Sequence, residues 1–105
     1  MPMTCEATTQ GETVVLTLSG TIDEEGAAAL KQQFNTLPHS RIKELVIDLA
    51  DISHIGSSGI GKLLLFYKNM AAHQGTIRLT RVPQPIHDLF TELRLDTLFS
   101  MNTGR

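Results

Sequence analysis

One cysteine, Cys5, is all that 105 residues supply. No internal disulfide can form, and a reducing compartment is expected. Cys5 reads as a small hydrophobe in an edge strand. An excess of one charge is also missing: nine Lys and Arg against eleven Asp and Glu leave a net charge of -2. The basic residues are scattered, so the electrostatic footprint of a nucleic-acid binder is absent. No apolar run approaches the roughly 18–20 residues of a membrane span. The first residues lack a basic segment followed by an apolar one, so nothing suggests secretion, and cytoplasm is the expected location. The four histidines (His39, His54, His73 and His87) are dispersed and form no pattern with Cys or Asp that would hold a metal. No cofactor is implied. What remains is a single domain over residues 1–105, without repeats, low-complexity segments or linkers. Its apolar and charged fractions, 41% and 19%, are those of an ordinary globular protein. A chain of this size buries roughly 65% of its unfolded surface, enough to fold without staples.

The apolar pattern divides the chain clearly. Met3 to Thr9 weakly resembles a strand. Gly11-Glu12 signals a turn, and Thr13 to Ser19 is β-branched and apolar, which predicts a hairpin. Gly20-Thr21-Ile22-Asp23 breaks that pattern, with Asp23 suited to cap a helix in which Ala27, Leu30, Phe34 and Leu37 recur at helical spacing. Pro38 ends it. Leu45 to Leu49 is an unbroken apolar run, the mark of a central strand. A short loop follows, then a helix from Ser57 to about Gln74, with Gly75 at the position after its end. Thr76 to Thr80 alternates as a short strand. Pro85 opens a helix carrying Ile86, Leu89, Phe90 and Leu93. Leu95 to Met101 packs as a final strand or coil. Strands and helices that alternate in this way predict an α/β fold with a mixed sheet and parallel crossovers.

The most informative segment is Gly56-Ser57-Ser58-Gly59, two hydroxyls where a helix opens after a buried strand. The first turn of a helix has unpaired N–H groups and partial positive charge, so an anion is stabilised there. Gly56, Gly61 and Lys62 satisfy the glycine and lysine spacing of a phosphate-binding loop, but Leu63 stands where a hydroxyl should ligand magnesium. The spacing is also not that of a G-x-S-x-G nucleophile, and no histidine is a recognisable base. Two uses remain open. The serines act only as a helix cap, or Ser57 receives a phosphate, whose roughly -1.5 to -2 charges are well tolerated at a helix start.

At this point the chain resembles a known family. Asp51 through Gly61, with Gly56-Ser57-Ser58-Gly59-Ile60-Gly61, is similar to the signature of STAS domains of the bacterial anti-sigma factor antagonist type. Gly20-Thr21-Ile22-Asp23 matches that family's turn after the hairpin, and Pro85 to Phe99 its last helix with a late aromatic. The resemblance implies a mixed sheet of four to five strands with three to four helices, and a non-enzymatic role in partner switching. It implies an anti-sigma factor that is also a serine kinase as one partner and a metal-dependent serine phosphatase as another. It places the phosphoacceptor at Ser57, with Asp23, Gly56, Ser58 and Gly59 as the supporting loop. Gly56 stands where the family has an acidic residue, so no side chain there caps the helix or steers the serine toward a kinase. STAS domains also serve as docking or ligand-sensing modules, for example as non-catalytic components of transport complexes. That is the alternative the resemblance leaves.

A helical wheel over the segment after Ser57 puts Ile60, Leu63, Leu64, Tyr67 and Ala71 on the core side and Lys62, Asn69 and His73 opposite. Leu65 and Phe66 flank the polar face. With Lys62 they make a candidate partner surface, unless a neighbouring helix covers them.

Overall fold

The computed structural model describes residues 2–103. Strands β1 (Thr4–Gln10) and β2 (Thr13–Ile22) form the hairpin, turning through Gly11, whose φ of 60° is cheap only for glycine. Helix α1 (Glu24–Asn35) leads to β3 (Glu44–Ile55), helix α2 (Ser57–Ala72), β4 (Thr76–Thr80), helix α3 (Gln84–Glu92) and a two-residue β5 (Ser100–Met101). The sheet runs β1-β2-β3-β4-β5; β1 is antiparallel to β2 and every later pairing is parallel. This is the expected mixed α/β architecture, with five strands and three α-helices among the described residues.

Alternation explains where the core sits. Val14, Leu16, Leu18 and Ile22 of β2 and Leu45, Ile47 and Leu49 of β3 point to the helix-covered face. Helices α1 and α2 meet over that face, where the rings of Phe34 and Phe66 stack with centroids 4.1 Å apart. Tyr67 of α2 and Phe90 of α3 both reach Phe99 beyond the last helix, at 5.8 and 6.4 Å. The described helices include none long and apolar enough to cross a membrane.

The largest departure from the sequence reading is β3. It does not stop at Leu49 but continues to Ile55, so the expected loop before Ser57 is strand. It spans 12 residues against the 10 of β2. The two extra residues are absorbed at two register shifts, between Thr17 and Ser19 and between Gly20 and Thr21. These bulges break the period-two alternation, which is why the sequence after Leu49 does not read as strand. Polar side chains satisfy the backbone where the ladder slips. The Asp48 carboxylate accepts from Ala50 N–H at 3.0 Å, and Ser53 Oγ donates to the Gly20 carbonyl at 3.2 Å. β2 likewise extends to Ile22 instead of breaking at Gly20.

Helix ends differ in detail. α1 stops at Asn35, before Pro38, and Leu37 packs half-buried beyond it. α2 ends at Ala72 in a Schellman turn: Gln74 N–H bonds Ala71 O at 3.0 Å and Gly75 N–H bonds Met70 O at 2.7 Å. The left-handed residue is therefore Gln74, with φ 61°, not Gly75. Glycine is needed at 75 for space, since a Cβ there would lie 2.7 Å from Met70 Cε and 3.2 Å from Lys43 O.

Asp48, on the uncovered face of β3, is paired with Arg81 just after β4. Arg81 Nε donates to both carboxylate oxygens, at 3.2 and 3.1 Å, and Nη2 donates to Oδ2. Arg81 itself sits at φ 50°, held by Asn102, whose side-chain oxygen accepts its backbone N–H at 3.2 Å. Burial pushes the Asp48 carboxyl up. The Arg81 hydrogen bonds, the Ala50 N–H and the Arg81 charge outweigh it and hold the group below its ordinary range. A carboxylate depressed in this way stabilises the fold above its unfolded pKa of about 3.9, and the contribution is lost as pH falls through the lower folded value. Asp48→Asn should therefore lower Tm at neutral pH and flatten its fall below about pH 4, as read by thermal melts from pH 7 to 2. Phe66→Ala should cost about 3–5 kcal/mol in urea unfolding, the range for a fully buried ring.

Candidate functional site

The C-terminal ends of β2 and β3 lie side by side, Ile22 opposite Ile55, and the Gly56 N–H donates to Ile22 O at 2.9 Å. Each strand passes directly into a helix, so the openings of α1 and α2 are neighbours. They are built differently. Asp23 caps α1, its Oδ1 accepting from Gly26 N–H at 2.8 Å, and Glu24 and Glu25 fill the acidic first turn. This is the capping role expected of Asp23. At α2 the cap residue is Gly56, extended at φ -94° and ψ 180°, with no side-chain hydrogen bond and no acidic residue in the first turn. One helix start is electrostatically satisfied by its own side chains; the other is not.

Ser57 is exposed at that unsatisfied start, Ser58 is half-buried beside it, and Gly59 is buried. Gly59 fixes how closely α2 sits on the strands. A Cβ there would come within 2.6 Å of Ile22 Cγ2 and 2.8 Å of Ile55 Cγ1. Gly56 carries no such constraint, since its nearest neighbour to a built Cβ is Ile22 O at 3.8 Å. The supporting residues Asp23, Gly56, Ser58 and Gly59 thus all lie at the two strand ends. His54, expected on a loop, is instead an exposed residue of β3 opposite Thr21.

The proposed hydrophobic surface on α2 divides. Leu65 is 43% exposed, whereas Phe66 is 0% exposed and stacked on Phe34. Phe66 is therefore a core residue, not part of a partner surface. The wheel failed because the buried positions are Gly59, Leu63, Phe66 and Met70, a stripe rotated toward α1. Ile60, Leu64 and Tyr67 are only half-buried, Ala71 is exposed, and Lys62 is half-buried near the serine turn. The sequence reading also passed over Glu24 and Glu25. The run Asp23-Glu24-Glu25 was visible, but not that the helix it opens would start beside the opening of α2.

A family model described as "Mlab, STAS domain" matches residues 5–101. The chain belongs to the STAS family. Solved structures agree on the fold. An anti-sigma factor antagonist from Mycobacterium paratuberculosis is 25% identical, with a TM-score of 0.82 over 94% of this chain and 84% of that one. A candidate anti-sigma factor antagonist from Thermotoga maritima is 16% identical, with a TM-score of 0.85 over 92% and 84%. The Bacillus cell fate determinant SpoIIAA, in its phosphorylated form, is 20% identical, with a TM-score of 0.76 over 95% and 92%.

In this STAS domain the two glycines flanking the serines should respond oppositely to substitution. Gly59→Ala should destabilise by about 1–3 kcal/mol through overpacking against Ile22 and Ile55. Gly56→Asp should stabilise by a few tenths of a kcal/mol by supplying the missing cap, on the order of the usual glycine deficit. Chemical denaturation of the two variants beside the parent checks both.

Proposed function

We propose that the protein is an anti-sigma factor antagonist working by partner switching in the cytoplasm. Unphosphorylated, it binds an anti-sigma factor that is also a serine kinase and so frees that factor's other client. The kinase transfers the γ-phosphoryl group of ATP to Ser57 Oγ; ADP leaves and the hydroxyl proton passes to the kinase. A metal-dependent serine phosphatase restores the hydroxyl. The domain contributes no catalysis of its own.

The observation that carries this reading is the exposed Ser57 hydroxyl on a helix start that no side chain caps. A phosphate of roughly -1.5 to -2 charges is tolerated there by the dipole and free N–H groups of α2. A partner surface shaped to cover the same turn meets a bulky, strongly hydrated dianion. Switching then needs no change in the fold, only a change in what the surface accepts. That a Bacillus protein of this fold has been solved in a phosphorylated form supports the reading. Exposed Leu65 and half-buried Lys62, further along α2, extend the footprint we assign to the partner.

A second reading has its own support. Gly56 occupies the place of the family's acidic residue and leaves α2 without a side-chain cap. That suits a docking or ligand-sensing module, such as a non-catalytic part of a transport complex, in which the serine turn meets a partner without being phosphorylated.

The test is to mix the protein with ATP and the serine kinase encoded beside it, then map phosphate by mass spectrometry. Phosphate on Ser57 is expected. An active cognate kinase that leaves Ser57 unmodified would sink the switch and favour the docking module, as would a gene neighbourhood of transporter components. Ser57→Asp should weaken binding to that kinase at least tenfold while changing stability by less than about 0.5 kcal/mol, the usual range for an exposed position.

A further inference from the structure

The two edges of the sheet are built differently. On one side β5 is only two residues long, and Asn102 just beyond it is tied to Leu79 and Val82 through backbone hydrogen bonds of 3.2 and 2.9 Å. On the other side β1 runs for seven residues, pairs with β2 without a register slip, and is exposed from Glu6 to Gln10. Natural sheets guard such edges with lysines, prolines, bulges or short strands. Thr4–Gln10 has none of these; its one charge is Glu6.

The turn fixes which backbone groups of β1 are free. A two-residue loop closes on a pair that exchanges hydrogen bonds, here Gln10 with Thr13. Counting back in steps of two, Thr8, Glu6 and Thr4 also bond to β2. The N–H and C=O groups of Cys5, Ala7 and Thr9 therefore point outward along the edge. A strand that satisfies all of them must place its own outward groups at matching intervals, and a second β1 does so when a twofold axis passes through Ala7. Cys5 then faces Thr9 of the other copy, Ala7 faces its equivalent, and Thr9 faces Cys5. The same register sets Glu6 opposite Thr8. A shift of the axis to Glu6 would instead put two carboxylates face to face in the closer, non-bonded pair, which is repulsive. Backbone phase admits an axis through Glu6, Ala7 or Thr8; the lone charge counts against Glu6, and only the Ala7 axis matches Cys5, Ala7 and Thr9 among themselves.

We propose that two copies of the protein join through antiparallel β1–β1 pairing about Ala7. The result is a continuous sheet of ten strands, five from each copy. The twofold axis is perpendicular to the sheet, so both helix layers lie on one side. Both Ser57 turns sit at the ends of β2 and β3, away from the seam, and stay accessible. The contact is almost entirely backbone, with small side chains around it, and its Kd should be weak, on the order of 0.1 mM.

Sedimentation equilibrium on the full chain from about 10 μM to 1 mM, with amide hydrogen exchange at both ends of that range, tests this. A concentration-dependent dimer is expected. The amides of Cys5, Ala7 and Thr9 should gain at least tenfold protection at high concentration, while those of Glu6 and Thr8 are protected throughout. Ala7→Lys and Ala7→Pro should each raise Kd at least tenfold, with far-UV spectra checking that the fold is kept; the alanine N–H that proline removes is not used by β2. A monomer at 1 mM overturns the proposal. So does a dimer that leaves the exchange of Cys5, Ala7 and Thr9 unchanged, or one that persists in the lysine variant.

Discussion

The parallel ladder between β2 and β3 is the constraint on which the rest of the molecule depends. It brings Ile22 beside Ile55, so the next residue of each strand begins a helix at the same edge of the sheet. Because β3 is the longer strand, the ladder closes only by bulging twice, and Asp48 and Ser53 supply hydrogen bonds where it slips. The first bulge brings Ile52 to the buried side, where strict alternation from Leu49 would not put it, and the second restores Ile55 to the parity of Leu49. Ile55 lies under Gly59, where its Cγ1 would be 2.8 Å from an added Cβ, and floors the opening of α2.

The neighbouring helix starts then divide the electrostatic work. At α1, Asp23, Glu24 and Glu25 meet the helix's own demand for negative charge. At α2 nothing does, because Gly56 has no side chain and Ser57 is neutral. An added phosphate at Ser57 is favoured by the dipole and uncapped N–H groups of the helix beneath it.

Much of this is legible in the sequence, and the limits have physical causes. Thr13–Ser19, Leu45–Leu49 and Thr76–Thr80 were readable as strands because one period or one apolar run holds throughout each. Residues 50–55 were not, since two bulges scramble the alternation that a strand reading relies on. The serine turn was legible through Gly56-Ser57-Ser58-Gly59, and Asp23 through its capping position. Phe66 was misplaced because a helical wheel shows which residues share a face but not which face meets a neighbour. Phe34, 32 positions earlier, decides that by stacking on it. Glu24 and Glu25 were plain in the sequence, yet that the helix they open starts beside α2 follows only from strand pairing.

The Schellman turn at the end of α2 has a consequence for how information can travel. Beyond it, Thr76 N–H bonds Lys43 O at 2.9 Å, while at the other end Gly56 N–H bonds Ile22 O. The helix is thus moored at both ends to the residues that flank the central strands. It cannot slide along its axis without breaking one mooring. An event at its opening has no lever with which to move the far end of the molecule, so the phosphate proposed for Ser57 would be read where it sits.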